Sequence, residues 1–367
     1  MRVPFIHLQA QHRSIRREVL DVVSRIADSQ RFVLGKHGNE LEQNIARYID
    51  VPHAVALASG SDALYLSLVA LGVGHGDEVI TTPFTFFASV GAITRAGAKP
   101  IFCDIDARTF NMDVSKIASK ITRRTKAILP VHIFGLPCEM DEILKLAKRH
   151  DLFVVEDAAQ SFGATYKGKQ TGSMGITGCF SFYPTKNLGA AGDGGMVVTR
   201  SSALAEKIRL LRNHGSRHKY HHEFVGVNSR LDEIQAAWVN IKLKHIDRWN
   251  ALRVKHAAEY DKAFKALPLE TPFISKGARS NYHLYSIRTQ KRDGLSKWLD
   301  RADIGNGVYY PLPLHLQPCY RSLGYRRGDL PVSEEVSGTV LSLPMYPELT
   351  PAERKKVIRA VQGYFSA

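Results

Sequence analysis

The fold is decided by the stretch Leu152-Phe153-Val154-Val155-Glu156-Asp157-Ala158-Ala159-Gln160. Its first four residues are apolar and partly β-branched, which is typical of a strand buried on both faces of a parallel sheet. Asp157 follows this strand directly, so its carboxylate is expected at the carboxyl end of the sheet. Because open α/β sheets bind ligands at that edge, a functional site is predicted around Asp157.

Short apolar strands alternate with helices from about residue 54 to residue 200. A helix is predicted over residues 139–149, where Met140, Ile143 and Ala147 share one face. This alternation predicts an α/β domain with a mostly parallel sheet covered on both faces. The predicted strands cover residues 54–58, 78–82, 99–104, 127–131, 152–156 and 179–183.

The C-terminal part of the chain has a different pattern. Apolar residues recur at helical spacing from Leu231 to about Leu267, and a smaller α+β region follows, with its clearest strand at residues 282–289. Because 367 residues exceed one ordinary hydrophobic core, we predict two domains, at residues 1–245 and 246–367.

Composition excludes several classes of protein. The chain is 44% hydrophobic and 23% charged, as soluble globular proteins are. No apolar stretch is long enough to span a bilayer, and the first residues do not resemble a signal peptide. The four scattered cysteines suit a reducing compartment. We therefore expect a cytoplasmic protein with no membrane partner.

The formal net charge of +15 raises the question of nucleic acid binding. The basic residues are dispersed, and no helix-turn-helix, zinc-finger or RNP pattern accompanies them. A solvated basic surface that also attracts an anionic small substrate explains the charge better. No nucleic-acid partner is expected.

A lysine follows the last predicted strand, in the segment Ser181-Phe182-Tyr183-Pro184-Thr185-Lys186-Asn187-Leu188-Gly189. An amine for a Schiff base and a carboxylate for a pyridinium nitrogen are what pyridoxal phosphate (PLP) requires from a protein. A lone loop lysine is more often a solvated charge. Its pairing with Asp157, which ends a strand of the same sheet, favours a cofactor site.

A phosphate site is predicted where Ser59-Gly60-Ser61 opens an apolar helix after the first strand. Free backbone N–H groups, a hydroxyl and the helix dipole favour an anion there, although an ordinary N-cap is the alternative. Ser181 is placed to bind another phosphate oxygen. The glycine-rich residues 187–195 lack the Walker spacing of a nucleotide-binding P-loop.

These segments resemble the DegT/DnrJ/EryC1/StrS family of PLP-dependent nucleotide-sugar aminotransferases over essentially the whole chain. Further resemblance lies in residues 4–6, 82–88, 226–232, 310–318 and 341–347. It implies the type I aminotransferase fold, with a mostly parallel seven-stranded sheet in a large domain and a smaller α+β C-terminal domain. It also implies a homodimer with shared active sites.

The resemblance assigns the residues around the cofactor ring. Lys186 would form the Schiff base, and Asp157 would pair with the pyridinium nitrogen. Gln160 would bond the ring's O3′ and Phe86 would stack on the ring, although packing in the core is the simplest role for a phenylalanine there. Phe162 occupies a position that is often histidine in the family and that borders the cofactor.

The phosphate would be held by Gly60, Ser61 and Ser181, with Asn228 reaching it from the other subunit. The implied reaction is ping-pong: an amino acid, expected to be glutamate, converts PLP to pyridoxamine phosphate, which then aminates a nucleotide-linked keto-sugar. Residues 180–189, 228–237 and 242–247 look most like members that aminate C3 of 3-keto sugars. A dTDP-linked 3-keto-6-deoxyhexose is favoured. Residues 160–164 instead resemble relatives acting on UDP-linked 3-keto-uronates.

Substrate contacts are expected from Tyr183, Arg230 and the histidine-rich segment 214–223. A solvated loop is the alternative for that segment, and a metal site is not expected, because Glu223 is its only carboxylate. A proline-rich connection between domains is the alternative for the segment around Tyr310. The remaining substrate candidates are Lys219, Tyr220, His222, Tyr310 and His315.

Three rival functions fit these residues less well. A sugar dehydratase of the same family would carry histidine in place of Lys186. A regulatory PLP-binding protein would need an attached DNA-binding module, and a purely structural partner protein would have no use for a cofactor site. An aminotransferase in the biosynthesis of amino sugars, for a surface polysaccharide such as lipopolysaccharide or for a secondary metabolite, is the favoured function.

Overall fold

A computed structural model describes residues 2–366. The helices within that range are α1 (Leu8–Ser29), α2 (Lys36–Ile49), α3 (Gly60–Ala70), α4 (Phe87–Arg95), α5 (Val114–Ile117), α6 (Met140–Arg149), α7 (Ser202–Leu211), α8 (Glu233–Leu243), α9 (Ile246–Phe264), α10 (Arg292–Arg301), α11 (Pro331–Thr339) and α12 (Pro351–Ser366). The strands are β1 (His53–Leu57), β2 (Glu78–Thr81), β3 (Lys99–Phe102), β4 (Thr125–Ile128), β5 (Phe153–Asp157), β6 (Thr165–Tyr166), β7 (Lys169–Gln170), β8 (Thr177–Ser181), β9 (Gly195–Thr199), β10 (Ser216–His218), β11 (His221–His222), β12 (Ala278–Arg279), β13 (Tyr285–Arg288) and β14 (Val340–Leu343).

Seven strands form the central sheet, in the order β1-β9-β8-β5-β4-β2-β3. Parallel pairing joins β3, β2, β4, β5 and β8, whereas β9 is antiparallel to both β8 and β1. Six strands therefore run in one direction and β9 runs against them. The predicted α/β fold with a mostly parallel sheet is confirmed, and the carboxyl ends of the six strands share one edge.

Two of the predicted strands begin two residues earlier in the structure, and both also end earlier than predicted. Strand β4 ends at Ile128 and not at Val131, because Pro130 has no N–H to donate to a neighbouring strand. Pairing resumes only as an isolated bridge between Val131 and Asp157. Strand β8 ends at Ser181, where the chain turns toward Pro184 and carries Lys186 away from the sheet.

The helical connection predicted from Leu231 to Leu267 consists of two helices. Helix α8 begins after Asp232, whose side chain accepts the N–H of Gln235. The helices α8 and α9 are separated by a break at Lys244 and His245, which the apolar periodicity alone did not indicate. The predicted domain division at residue 245 coincides with this break and remains a prediction.

The C-terminal elements surround a separate apolar cluster, in which α9, α10 and α12 pack against the antiparallel pair of β13 and β14. Val3 joins this cluster and its N–H donates to the carbonyl of Asp303 at 2.9 Å. The beginning of the chain therefore packs with its C-terminal elements. None of the helices within residues 2–366 combines the length and apolar character that crossing a membrane requires.

Candidate active site

A cavity of about 660 Å³ opens at the carboxyl edge of the central sheet. The ends of β1, β2, β5 and β8 supply its floor, and residues 283–284 and 308–310 supply the opposite wall. Of the residues predicted for the site, the cavity brings together Gly60, Ser61, Phe86, Asp157, Gln160, Ser181, Tyr183, Lys186 and Tyr310.

Lys186 lies on the floor of the cavity, in a tight loop after β8. Its N–H donates to the carbonyl of Tyr183 at 2.8 Å, and the Lys242 ammonium donates to the Gly189 carbonyl at 2.9 Å. Burial lowers the pKa of Lys186 to about 8, although the nearby Asp157 carboxylate opposes this effect. Near neutral pH, the amine is therefore neutral in a far larger fraction of molecules than an exposed lysine would be.

The carboxyl group of Asp157 is buried at the end of β5 with both oxygens in use. Oδ2 accepts the hydroxyl of Ser89 at 2.7 Å, and Oδ1 accepts the N–H of Ala159 at 3.1 Å. Burial raises the pKa of Asp157, and the Ser89 hydroxyl, the Ala159 N–H and the Lys186 charge oppose the rise. A cationic ring nitrogen placed beside this carboxyl group would favour its ionised form.

The first turn of α3 has the shape of an anion site. Ser59 caps the helix by accepting the N–H of Asp62 at 3.1 Å, which leaves the Ser61 hydroxyl for other partners. A Cβ on Gly60 would lie 2.6 Å from Cβ of Ser181, so only glycine admits this close approach of the start of α3 to the end of β8. The turn, its free N–H groups and the Ser181 hydroxyl together fit a phosphate.

The aromatic residues after β2 have different environments. Phe84 is fully buried, and Phe87 stacks on Tyr320 with ring centroids 5.8 Å apart. Phe86 is 58% exposed and lines the cavity, with its ring 6.4 Å from that of Tyr310. Of these three rings, Phe86 alone lines the cavity and is free to stack on a ligand.

Gln160 has its amide fixed at the cavity wall. Its Oε1 accepts the N–H of Phe134 at 2.7 Å, and its Nε2 donates to the hydroxyl of Tyr310 at 3.0 Å. One cavity is thus surrounded by a buried carboxyl group, an amine of lowered pKa, an exposed aromatic ring and a helix N-terminus that can bind a phosphate. These are the groups that PLP requires, so the residues present fit that cofactor.

Comparison with known proteins agrees with this geometry. The DegT/DnrJ/EryC1/StrS aminotransferase family matches residues 13–362. The chain belongs to this family. It is a PLP-dependent aminotransferase, as the resemblance implied.

Two relatives and one solved structure cover nearly all of this aminotransferase. A protein of Geobacillus stearothermophilus named pleiotropic regulatory protein is 47% identical, covering 100% of this chain and 99% of the relative. The dTDP-3-amino-3,4,6-trideoxy-alpha-D-glucose transaminase of Streptomyces venezuelae is 44% identical, covering 99% and 96%. The crystal structure of S. venezuelae DesV in complex with a ketimine intermediate is 43% identical, covers 100% and 99%, and gives a TM-score of 0.98.

Several predicted substrate residues of this aminotransferase lie outside the cavity of a single chain. Lys219, Tyr220 and His222 belong to the hairpin of β10 and β11, where Tyr220 is 81% exposed. Arg230 donates to Oδ1 of Asn213 at 2.9 Å, and the exposed Asn228 forms a bridge with the same residue. A single chain therefore does not bring these residues to the cavity.

Two expectations about the site are corrected by the structure. His315 is 1% exposed and its Nε2 lies 3.1 Å from Oε1 of Glu334, so it is held in the protein interior and does not line the cavity. Phe162 is also absent from the cavity wall. It is buried against the rings of Tyr48 and Phe180 at 5.1 and 5.2 Å, so it is a core residue.

Sequence reasoning missed three polar residues of the site. Ser89 bonds Asp157 and is itself 2.8 Å from the hydroxyl of Thr85, so α4 supports the carboxyl group. The hydroxyls are visible in the segment after β2, but their orientation is not. His283 lines the cavity from a distant part of the chain, and no local pattern marked it. Among residues 2–366, no cluster of three or more metal-ligating side chains is present.

Proposed function

We propose that this aminotransferase transfers an amino group from L-glutamate to C3 of a nucleotide-linked 3-keto-sugar, with a dTDP-linked 3-keto-6-deoxyhexose as the substrate. The observation that carries the choice of sugar is the lining of the cavity. Lys186 is the only lysine or arginine among the described residues that line it, and Phe5, Ile6, Leu284 and Val308 add apolar surface. The S. venezuelae relative is named for a dTDP-linked 3-amino sugar.

The proposed roles of the cofactor residues follow from their positions. Asp157 pairs with the ring nitrogen, Gln160 bonds the ring's O3′, and Phe86 stacks on one face. Gly60, Ser61 and Ser181 hold the phosphate at the start of α3. Bound PLP supplies an electron sink for the carbon that loses or gains a proton.

Lys186 is the proposed nucleophile and proton carrier. Because its pKa is lowered to about 8, its amine is available in the neutral form that both roles require. Nζ takes the proton from Cα of the amino donor. In the second half-reaction it delivers a proton to the sugar carbon that receives the amine.

The proposed sugar follows from the lack of a second cation among the described residues that line the cavity. A uronate carries a carboxylate at C6, and burying that charge without a partner is costly. A 6-deoxyhexose carries a methyl group there, which apolar side chains accommodate. The UDP-linked 3-keto-uronate stays the runner-up, since Arg230 or Lys219 of a second subunit would supply the missing cation.

The proposed assembly is a homodimer with shared sites in the cytoplasm. Asn228 and the hairpin of β10 and β11 carry ligand-type side chains that one chain leaves exposed. In the dimer, Asn228 reaches the phosphate of the partner's site, and Tyr220 and His222 contact its nucleotide sugar together with Tyr183 and Tyr310. The product is an amino sugar for a surface polysaccharide, such as lipopolysaccharide, or for a secondary metabolite.

The test is a panel of nucleotide keto-sugars incubated with the enzyme and L-glutamate. We expect the absorbance of the bound cofactor to change on adding glutamate, and NMR to place the new amine at C3 of the dTDP-linked 3-keto-6-deoxyhexose. Amination at C4, or no product from any 3-keto sugar, would overturn the proposed substrate. A bound cofactor whose absorbance glutamate leaves unchanged would favour a regulatory role, as the name of the Geobacillus relative suggests.

A further inference from the structure

Behind the Lys186 loop lies a buried network of three asparagines. Nδ2 of Asn187, the residue after the lysine, donates to Oδ1 of Asn250 at 2.8 Å and to the main-chain carbonyl of Asn281 at 3.1 Å. Nδ2 of Asn250 donates to the carbonyl of Phe162 at 3.1 Å, and Nδ2 of Asn281 donates to the carbonyls of Gln160 and Phe162. The network therefore ties the lysine loop to the segment that carries Gln160.

The backbone makes room for this network at two glycines with positive φ. A Cβ on Gly135 would lie 1.8 Å from Oδ1 of Asn281, and a Cβ on Gly163 would lie 2.5 Å from Nδ2 of Asn250. Neither approach is compatible with any larger residue. The two asparagine side chains are thus held in close-fitting positions.

The network fixes the proton on the imidazole of His283. A main-chain carbonyl such as that of Asn281 can only accept a hydrogen bond, so the amide atom of Asn187 that faces it must be the donor Nδ2. The remaining atom, Oδ1 of Asn187, lies 3.1 Å from Nδ1 of His283. An amide oxygen can only accept, so Nδ1 carries the hydrogen, and in the neutral ring the Nε2 lone pair is left free.

Main-chain hydrogen bonds hold His283 in the wall of the cavity that Lys186 also lines. Its main-chain N–H donates to Oδ1 of Asn281 at 3.0 Å, and its carbonyl accepts from the Arg253 guanidinium at 3.4 Å. The ring lines the same cavity as Lys186 and Asp157 and is otherwise buried. No hydrogen bond of Nε2 is found with any of the residues from 2 to 366.

The charges around His283 favour its neutral form. Burial lowers the pKa of His283 well below the usual histidine value, and the charges of Lys186 and Arg253 lower it further. A neutral imidazole can accept a hydrogen bond from the lysine amine without raising its pKa. A second carboxylate in the same place would stabilise the ammonium form, so less of the neutral amine would be present.

We propose that His283 is a positioning residue for Lys186: held with its proton on Nδ1 by Asn187, it accepts a hydrogen bond at Nε2 from the lysine amine once the amino donor has displaced that amine from the cofactor. The hydrogen bond orients the amine so that its lone pair faces the carbon whose proton it takes. This inference rests on the role proposed for Lys186, and the choice of sugar does not affect it.

The tautomer is tested directly by NMR of the holoenzyme carrying ¹⁵N-labelled histidine. Near neutral pH, we expect the His283 ring, assigned by its loss in His283→Gln, to be neutral with its hydrogen on Nδ1. A ring protonated on Nε2 alone, or on both nitrogens, would overturn the inference. This measurement requires no turnover, so it stands whether or not the proposed function holds.

The positioning role is tested by two variants in the glutamate half-reaction. His283→Leu removes the acceptor, and we expect its rate to fall about 10- to 100-fold, because misorienting a catalytic group costs rates of that order. His283→Gln restores an amide acceptor and should recover part of the loss. Glutamate affinity should change little in either variant. His256→Gln is the control, since His256 is buried against the Pro347 carbonyl outside the cavity.

The outcomes separate the inference from the assignments on which it rests. Wild-type rates in His283→Leu, or equal losses in the Leu and Gln variants, would contradict the positioning role. If Lys186→Ala is inactive and His283→Leu is unaffected, the role of Lys186 stands and only the positioning role of His283 is rejected. A folded His283→Leu that loses glutamate affinity with an unchanged rate would assign the ring to substrate binding and also overturn the inference.

Discussion

The carboxyl edge of the central sheet and the hairpin of β10 and β11 differ in how fully one chain defines them. At the sheet edge, the side chains of Asp157 and Gln160 each have two hydrogen-bond partners within the chain. On the hairpin, Tyr220 is 81% exposed, and the neighbouring Val225 is completely exposed. The sheet edge holds its side chains in place by hydrogen bonds, whereas the hairpin leaves its side chains exposed.

The difference indicates that cofactor chemistry and substrate recognition depend on different regions of the molecule. Cofactor chemistry needs a few groups held rigidly at fixed positions, and the strand ends provide such positions. In the proposed dimer, the exposed residues of one chain contact the substrate in the site of its partner. We propose that one chain supplies most of the PLP site, and that Asn228 and the hairpin of a second chain complete the phosphate site and the sugar site.

The largest effect is expected from Lys186→Ala, which changes the cavity at the sheet edge. Turnover should be abolished, since the general acid–base part alone contributes about 10² to 10⁴-fold, before the lost covalent bond to the cofactor is counted. The protein should stay folded, because burying an amine costs free energy and its loss does not weaken the core. Steady-state kinetics and circular dichroism check both statements. Lys167→Ala, at an exposed loop position, is the control, and retained turnover in Lys186→Ala would refute the assignment.

A smaller effect is expected from Asp157→Ala. A charge-assisted hydrogen bond contributes about 1.5–3 kcal/mol, so the dissociation constant for PLP should rise by about 10- to 150-fold. Turnover at saturating PLP should also fall. Ser89→Ala, which removes one neutral donor to Asp157, should have a weaker effect on both quantities. Normal affinity and kinetics in Asp157→Ala would mean that another group holds the ring nitrogen.

The smallest effect is a shift in pH dependence. Because burial lowers the pKa of Lys186 to about 8, its neutral fraction rises with pH and levels off above that value. The rate at which cofactor-free protein captures PLP should therefore be half-maximal near pH 8. In Asp157→Asn the half-maximal pH should move downward, because the carboxylate that raises the lysine pKa is gone. A half-maximal pH near the ordinary lysine value of about 10.4 would contradict the burial of the amine.

Much of the sheet edge could be predicted from the sequence, because local patterns determine it. The apolar run before Asp157 indicated a buried strand. The residues that the family resemblance placed around the ring and the phosphate line one cavity, apart from Asn228 and Phe162. Strand β4 ends three residues earlier than predicted, because Pro130 lacks the N–H that pairing requires, and the apolar pattern does not show this loss.

Features that depend on tertiary contact could not be predicted. His315 belongs to a segment rich in proline and aromatic residues that suited a substrate site, yet its ring bonds Glu334 inside the protein. Phe162 was expected beside the cofactor, and its ring packs between Tyr48 and Phe180. His283 reaches the cavity only because Asn187 and Asn281, far apart in sequence, meet behind the lysine.

The most direct test of the central claim is to mix two inactive variants. Lys186→Ala lacks the amine in its own site, and Asn228→Ala, if severely impaired alone, lacks the residue proposed to reach the partner's site. After subunit exchange in equal amounts, half of the dimers should be mixed and each should hold one intact site. Activity should then recover to about one quarter of the wild-type value. No recovery despite proven exchange, or a fully active monomer in sedimentation, would contradict the shared site.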